Sequence, residues 1–271
     1  MSGAPAPLLQ IQGAALRRGD RELWLGLDLD VQPGEFIAVL GPSGSGKTTL
    51  LRSILGLQPL SAGSIRLDGA PVRRGDPRIG YIAQQRPLPV DTSMRARDLV
   101  ALGVQGTRFG FPIPRRGDRA RVDGLLDAVG ATKFADRRVG LLSGGEQQRL
   151  RVGQALADDP VLLLCDEPLS NLDLANQRGV TEVIERQRKE RGAAVLFVTH
   201  DVNPILGLAT RILYIAGGRF VLGTPDEVLQ TRVLTDLYGT PVFVLRAGDR
   251  LVVVGTPDAE ARHDHGEDGL E

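Results

Sequence analysis

The sequence predicts an α/β fold organised around a parallel sheet, and three observations carry that prediction. A loop of the form G-x-x-x-x-G-K-[ST], Gly41 to Thr48, follows an apolar run, Phe36 to Leu40, and opens a helical pattern. Two further apolar runs, Val161 to Cys165 and Ala194 to Val198, each follow a helical segment, as parallel strands buried on both faces do. Polar residues stand just past these runs: Asp166 and Glu167 after one, His200 after the other. Open α/β sheets bind ligands at the carboxyl ends of their strands, so this edge is the expected site.

The other elements are read in chain order. Leu8 to Gln12 and Leu23 to Val31 alternate apolar and polar residues and predict antiparallel strands, broken by Arg17-Arg18-Gly19-Asp20. Ile65 to Leu67, with the turn Asp68-Gly69, adds a strand, and Arg78 to Ile82 another that ends at Ala83-Gln84. From about 86 to 158 prolines and helical patterns alternate; Val122, Leu125, Leu126 and Val129 fall at i, i+3, i+4, i+7 before Gly130, which predicts a helical insertion. Arg211 to Ile215 reads as one more strand. Residues 1–255 are therefore expected to form a single domain, and the polar, acidic stretch from Thr256 to Glu271, with His263 and His265, a disordered tail.

Composition excludes several classes. The 271 residues carry a formal net charge of zero, which argues against nucleic acid as a partner, and the arginines between Arg73 and Arg138 read as a solvated face. Cys165 is the only cysteine, so no disulfide is possible and a reducing compartment is implied. Met1 to Pro7 has neither the basic nor the apolar region of a signal peptide, and every apolar run is strand-sized, too short to span a bilayer. A role at a membrane would require a separate membrane partner.

The loop Gly41-Pro42-Ser43-Gly44-Ser45-Gly46-Lys47-Thr48 carries the clearest chemistry. Its glycines let backbone N–H groups turn inward on an anion, at the positive end of the helix that continues through Thr49. Lys47 is placed to reach the β- and γ-phosphates of a nucleotide, and the Thr48 hydroxyl to hold Mg²⁺. Such a string arises by composition on the order of once in ten thousand positions. The chain has only three lysines against thirty arginines, and one of the three is Lys47. Adjacent acids at the tip of a buried strand are costly unless a cation or substrate uses them. Asp166 is expected to hold Mg²⁺ and Glu167 to orient and deprotonate an attacking water; a bare turn cap before Pro168 is the competing reading, which the phosphate loop disfavours.

Ser143-Gly144-Gly145-Glu146 reads as an S-x-x-E capping box opening a helix to about Ala157, with two glycines where a backbone must approach something closely. Together with Leu142 before it and Gln147-Gln148-Arg149 after it, this string resembles the signature motif of the ATP-binding cassette (ABC) ATPases, and its order between the phosphate loop and the Asp-Glu strand matches. The resemblance runs from about Leu8 to Val254. It implies a P-loop ABC ATPase fold with a parallel-sheet core, an antiparallel β subdomain and a helical subdomain, using ATP and Mg²⁺. It further implies that Gln84 is the Q-loop glutamine touching Mg²⁺ and water, that Ser170-Asn171-Leu172-Asp173 is the D-loop, and that His200 contacts the γ-phosphate. In the family two copies dimerise head to tail, so Ser143, Gly144 and Gly145 of one copy close over ATP held by Lys47 of the other. One position departs from the pattern: Arg18 stands where an aromatic usually stacks on adenine, which implies weaker discrimination for that base.

A cassette without membrane spans resembles the separate ATPases of bacterial importers, working with integral permease subunits and an extracytoplasmic binding protein at the inner face of the membrane. The permease contact is implied around Gln85 to Leu102. Cys165 to Ser170, Phe197 to Ile205 and Leu237 to Val242 resemble ATPases of zinc and manganese uptake. Haem or iron-siderophore importers, a soluble cluster-assembly ATPase and a scaffold that binds nucleotide without hydrolysis are the competing readings.

Overall fold

A computed structural model describes residues 6–19, 21–84, 88–106, 117–248 and 250–255, with the side chains of Arg18, Arg21 and Gln105 outside the description. Two antiparallel strands lead, β1 (Leu9–Arg18) and β2 (Arg21–Val31), followed by β3 (Phe36–Leu40) and helix α1 (Lys47–Ile54). The break predicted over Arg17-Arg18-Gly19-Asp20 falls between β1 and β2, with β1 extending two residues into it. Register shifts along the pairing of β1 with β2 absorb the irregular alternation. Then come β4 (Ala62–Leu67), β5 (Ala70–Pro71) and β6 (Ile79–Ile82).

Helices α2 (Ala96–Gln105), α3 (Asp118–Ala128) and α4 (Gly144–Ala155) follow as one packed group. Val100, Leu126, Val129, Leu150 and Val152 are buried among them. Most of the described arginines between Arg73 and Arg138 are exposed, as expected, and some of them also pair across the helices. Arg97 bonds Asp136 at 2.7 Å and Asp123 at 3.4 Å, and Arg121 bonds the Ala157 carbonyl and Asp159, so aspartates fix the arginines between helices.

The chain continues through β7 (Leu162–Asp166), α5 (Leu174–Arg191), β8 (Ala194–Val198), β9 (Arg211–Ala216) and β10 (Arg219–Gly223). It ends in the short α6 (Pro225–Val228), α7 (Thr231–Tyr238) and the hairpin β11 (Val242–Ala247) and β12 (Arg250–Gly255). His263 and His265 lie outside the described residues.

The central sheet has the order β10-β9-β3-β8-β7-β6, parallel except for the edge strand β10. Its strands read apolar throughout because both faces are covered. Alternate residues divide between two cores. Ile37, Val39, Leu164, Leu196 and Leu213 face the antiparallel sheet β2-β1-β4-β5 and α1, whereas Phe36, Ala38, Leu163, Cys165 and Phe197 face the helices. Each such buried side chain contributes about 1.5–3 kcal/mol. The strand ends are thereby held rigidly, and the polar residues just beyond β3, β6, β7 and β8 share one edge. Among the described residues no helix is long and apolar enough to cross a membrane.

Candidate nucleotide site

At this edge the loop after β3 wraps a cleft of about 1570 Å³, lined by Gly41, Pro42, Ser43, Gly44, Ser45 and Lys47, with Glu167 and His200 beside them. The loop needs its glycines. Gly41 and Gly46 have φ of 141° and 97°, and a Cβ at Gly41 would run into the Ile215 carbonyl. The buried Ser45 hydroxyl has no hydrogen-bond partner among the described residues, as fits a site that receives an oxygen-rich anion.

Lys47, at the first position of α1, is buried and folds back so that Nζ donates to the carbonyls of Gly41 at 2.7 Å and Pro42 at 2.8 Å. Desolvation lowers its pKa, opposed by the nearby charges of Glu167 and Asp166. Thr48 Oγ1, one residue on, donates to Asp166 Oδ1 at 2.9 Å, and Tyr81 on β6 donates its hydroxyl to Asp166 Oδ2 at 3.1 Å. Asp166 is thus held at both oxygens. Burial raises its pKa while these two bonds counteract the rise, and burial likewise raises the pKa of the Tyr81 hydroxyl, keeping it a donor. A hydroxyl and a carboxylate oxygen placed side by side make a hard-oxygen donor set suited to Mg²⁺. Thr49 lies on the first turn of α1 behind them.

Glu167 leaves the strand with φ of 47°, a left-handed conformation unusual for a non-glycine residue. Its backbone N–H donates to the Val198 carbonyl at 3.0 Å, which ties the end of β7 to β8. One carboxylate oxygen, Oε2, collects three neighbours: Gln84 Nε2 at 3.1 Å, Ser170 Oγ at 3.0 Å and His200 Nδ1 at 3.7 Å. The last is an ion pair only when the imidazole is protonated. Lys47, Thr48, Gln84, Asp166, Glu167 and His200 therefore form one constellation in which a phosphate-binding loop, a metal-type oxygen pair and a held carboxylate adjoin.

Ser143, Gly144, Gly145 and Asp173 form another. Ser143 caps α4: Glu146 N–H donates to Ser143 Oγ at 3.3 Å, and Ser143 N–H to the Glu146 carboxylate at 2.8 Å. Asp173 caps α5 by accepting from Asn176 N at 2.8 Å and Nδ2 at 2.9 Å. A Cβ at Gly145 would overlap the Asn176 amide, so glycine is what lets the two helix starts meet. These four residues do not line the cleft of the phosphate loop. Among the described residues no hydrogen bond or ion pair joins them to Lys47, Asp166 or Glu167.

Sequence reasoning placed Ser170 in the D-loop and Gln147 in the signature string but did not foresee their contacts, nor any contact for Tyr81. Tyr81 lies within the strand expected over Arg78 to Ile82, but its contact with Asp166, 85 residues away, depends on β6 lying beside β7. Gln147, buried inside α4, donates to the Val139 and Leu142 carbonyls and accepts from Leu88 N–H, which fixes the segment following Gln84 against the helix. The Arg18 side chain, assigned to adenine, lies outside the description, as do residues 85–87 of the segment implied to meet a permease.

Comparison with known proteins places this geometry. The family model for ABC transporters matches residues 25–170. The zinc import ATP-binding protein of Cereibacter sphaeroides is 35% identical, covering 86% of this chain and 88% of its own length. The sn-glycerol-3-phosphate import ATP-binding protein of Rhizobium johnstonii is 36% identical over 89% of this chain, which spans 65% of that longer relative. Among solved structures, a metal-chelate type ABC transporter in an inward-facing conformation superposes with a TM-score of 0.77 at 27% identity, over 91% of this chain and 95% of that one. A dimeric ATP-binding cassette in a post-hydrolysis state with ADP and Pi gives 0.67 at 27% identity, over 80% and 98%. Relatives named for zinc and for glycerol 3-phosphate are equally similar, so identity alone does not single out a metal as cargo.

Proposed function

This chain belongs to the ABC transporter family of ATPases, and on that premise we propose that it is the ATP-hydrolysing subunit of an importer, driving a separate membrane permease. Residues 1–255 act as one ATPase domain, with the helical group inserted at about 86–158. The observation that carries the reading is the pair of adjacent carboxylates: Asp166 bonded to Thr48 of the phosphate loop, and Glu167 held by Gln84 and Ser170 beside His200.

In this reading the backbone N–H groups of 41–48 and Lys47 bind the phosphates, Lys47 exchanging its two carbonyl partners for phosphate oxygens. Thr48, Asp166 and Gln84 would hold Mg²⁺, which supplies charge neutralisation on the phosphates when bound. Glu167 orients the attacking water and takes its proton, with Gln84 and Ser170 fixing the carboxylate's rotamer. His200 faces the γ-phosphate. Ser143, Gly144 and Gly145 at the start of α4, with Asp173 beside them, close over the nucleotide of a second copy, so the working unit is a head-to-tail dimer. That dimer sits under a permease at the inner face of the membrane, contacting it near 85–102, and an extracytoplasmic binding protein delivers the cargo.

For the cargo we favour zinc or manganese. The support is the resemblance of Cys165 to Ser170, Phe197 to Ile205 and Leu237 to Val242 to metal-uptake ATPases, beside the similarity to the zinc import ATPase and to the metal-chelate type transporter. The test is the manganese, zinc and iron content of cells carrying wild-type protein or Glu167→Gln, grown under limitation of each metal. A selective fall in one metal names the cargo; unchanged levels of all three overturn the metal reading.

A further inference from the structure

His200 is poorly anchored by its own side chain, which is 67% exposed, yet the proposed function requires it to stay beside Glu167. Packing does not hold such an imidazole, so its position must come from the backbone on either side. On the amino-terminal side Thr199 is buried, its N–H donates to the Val39 carbonyl at 3.2 Å, and its hydroxyl donates to the Asp201 carbonyl at 2.8 Å and accepts from Asp201 N–H at 3.1 Å. On the carboxyl-terminal side Asp201 Oδ1 accepts from Asn203 N at 2.9 Å and from Asn203 Nδ2 at 2.7 Å.

Asn203 then reaches 48 residues along the chain. Its Nδ2 donates to the Leu251 carbonyl at 2.9 Å, and its Oδ1 accepts from Leu251 N–H at 2.8 Å. Both backbone groups of Leu251 are satisfied by one amide, a pairing that needs a donor and an acceptor on the same short side chain. The β11–β12 hairpin that offers Leu251 is itself secured. The Thr235 hydroxyl bonds both backbone groups of Val242, Thr231 accepts from Val244 N–H, and Val242 and Leu251 are buried. A two-stranded ribbon alone is marginal in water, so these anchors let it serve as a fixed post.

We propose that Asn203 is a positioning residue that latches the His200 loop to the carboxyl-terminal hairpin, and that this latch holds the imidazole where turnover needs it. The inference rests on the ATPase reading for its consequence and on the Asn203–Leu251 amide pairing for its existence. A turn cap alone would account for the bonds to Asp201 but not for those to Leu251.

The experiment combines Asn203→Ala, Asn203→Asp, His200→Ala and the double variant His200→Ala/Asn203→Ala, reading ATP affinity, kcat and amide hydrogen exchange in the full chain. Asn203→Ala is expected to speed exchange at Leu251 and over 199–203, to leave ATP affinity within about twofold, and to lower kcat about tenfold through the loss of its three side-chain hydrogen bonds, two of them to Leu251. Asn203→Asp, which keeps the acceptor but loses the donor and faces Asp201, is expected to behave no better. In the His200→Ala background Asn203→Ala should lower kcat no further, because the two act as one unit. A full kcat in Asn203→Ala, or a loss undiminished in the His200→Ala background, overturns the positioning role. Unchanged Leu251 exchange in Asn203→Ala overturns the latch itself. A wild-type chain without turnover overturns the ATPase reading, while the exchange result still decides the latch.

Discussion

The edge of the central sheet and the paired starts of α4 and α5 carry two halves of one set of motifs, and they are built differently. At the sheet edge, residues of α1 and of β6, β7 and the turns after them bond one another: Thr48 and Tyr81 on Asp166, Gln84 and Ser170 on Glu167. At the helix starts, the hydrogen bonds of Ser143 and Asp173 among the described residues cap their own helices. The first region is organised to hold and attack a phosphate chain. The second presents a glycine-rich helix terminus, the geometry for closing on an anion held elsewhere. A chain that contains both but does not bring them together is what the proposed head-to-tail dimer requires.

Substitutions at the sheet edge should abolish chemistry, and those at the helix starts should abolish closure. The largest effect is expected for Glu167→Gln. Turnover should fall by about 10²–10³-fold with the loss of a general base, while ATP still binds and accumulates a dimer detectable by light scattering with ATP and Mg²⁺. A persistent monomer in that experiment would break the comparison. Gly145→Ala comes next. Helix propensity favours alanine by about 1 kcal/mol, but overpacking against Asn176 costs about 1–3 kcal/mol. Chemical denaturation should show a small net loss, and turnover should fall while the ATP affinity of the isolated chain is unchanged.

Tyr81→Phe is milder. It removes one of two bonds to a buried carboxylate, a loss of about 1–2 kcal/mol of stability by denaturation, and should weaken Mg²⁺-dependent more than Mg²⁺-independent nucleotide binding. The smallest effect lies outside both regions. Arg188 beside Glu185 holds that carboxyl below its ordinary range, so its contribution is present above the unfolded-state pKa and disappears as pH falls through the folded value. Glu185→Gln should therefore flatten the acid side of the stability profile and leave turnover untouched, a control for the other variants.

Local signals made much of this legible. The glycines around Lys47, the Asp166-Glu167 tip and the Ser143-Glu146 capping box each announce themselves within eight residues, and all three stand in the elements expected of them. What stayed hidden depends on long-range register. Tyr81 reaches Asp166 only because β6 pairs with β7, and Asn203 reaches Leu251 only because the chain returns over the loop after β8. The β11–β12 hairpin was not among the elements expected from the sequence, because its two short apolar runs, Val242 to Leu245 and Leu251 to Val254, lack the alternation that marks a half-buried strand. The pairing of Arg97 and Arg121 with Asp136 and Asp159 stayed hidden because those aspartates lie 38 or 39 residues away.

The central claim is that the two regions work only across a pair of chains, and mixing two inactive variants tests it most directly. Lys47→Ala destroys the phosphate loop and Ser143→Arg obstructs the α4 terminus, so each protein alone should be inactive. Mixed in equal amounts, half the dimers would be heterodimers in which one of two composite sites is intact, so ATPase activity should return to about a quarter of wild type. No recovery, with heterodimers demonstrated in the same sample, would contradict the account and place both regions at one site within a single chain.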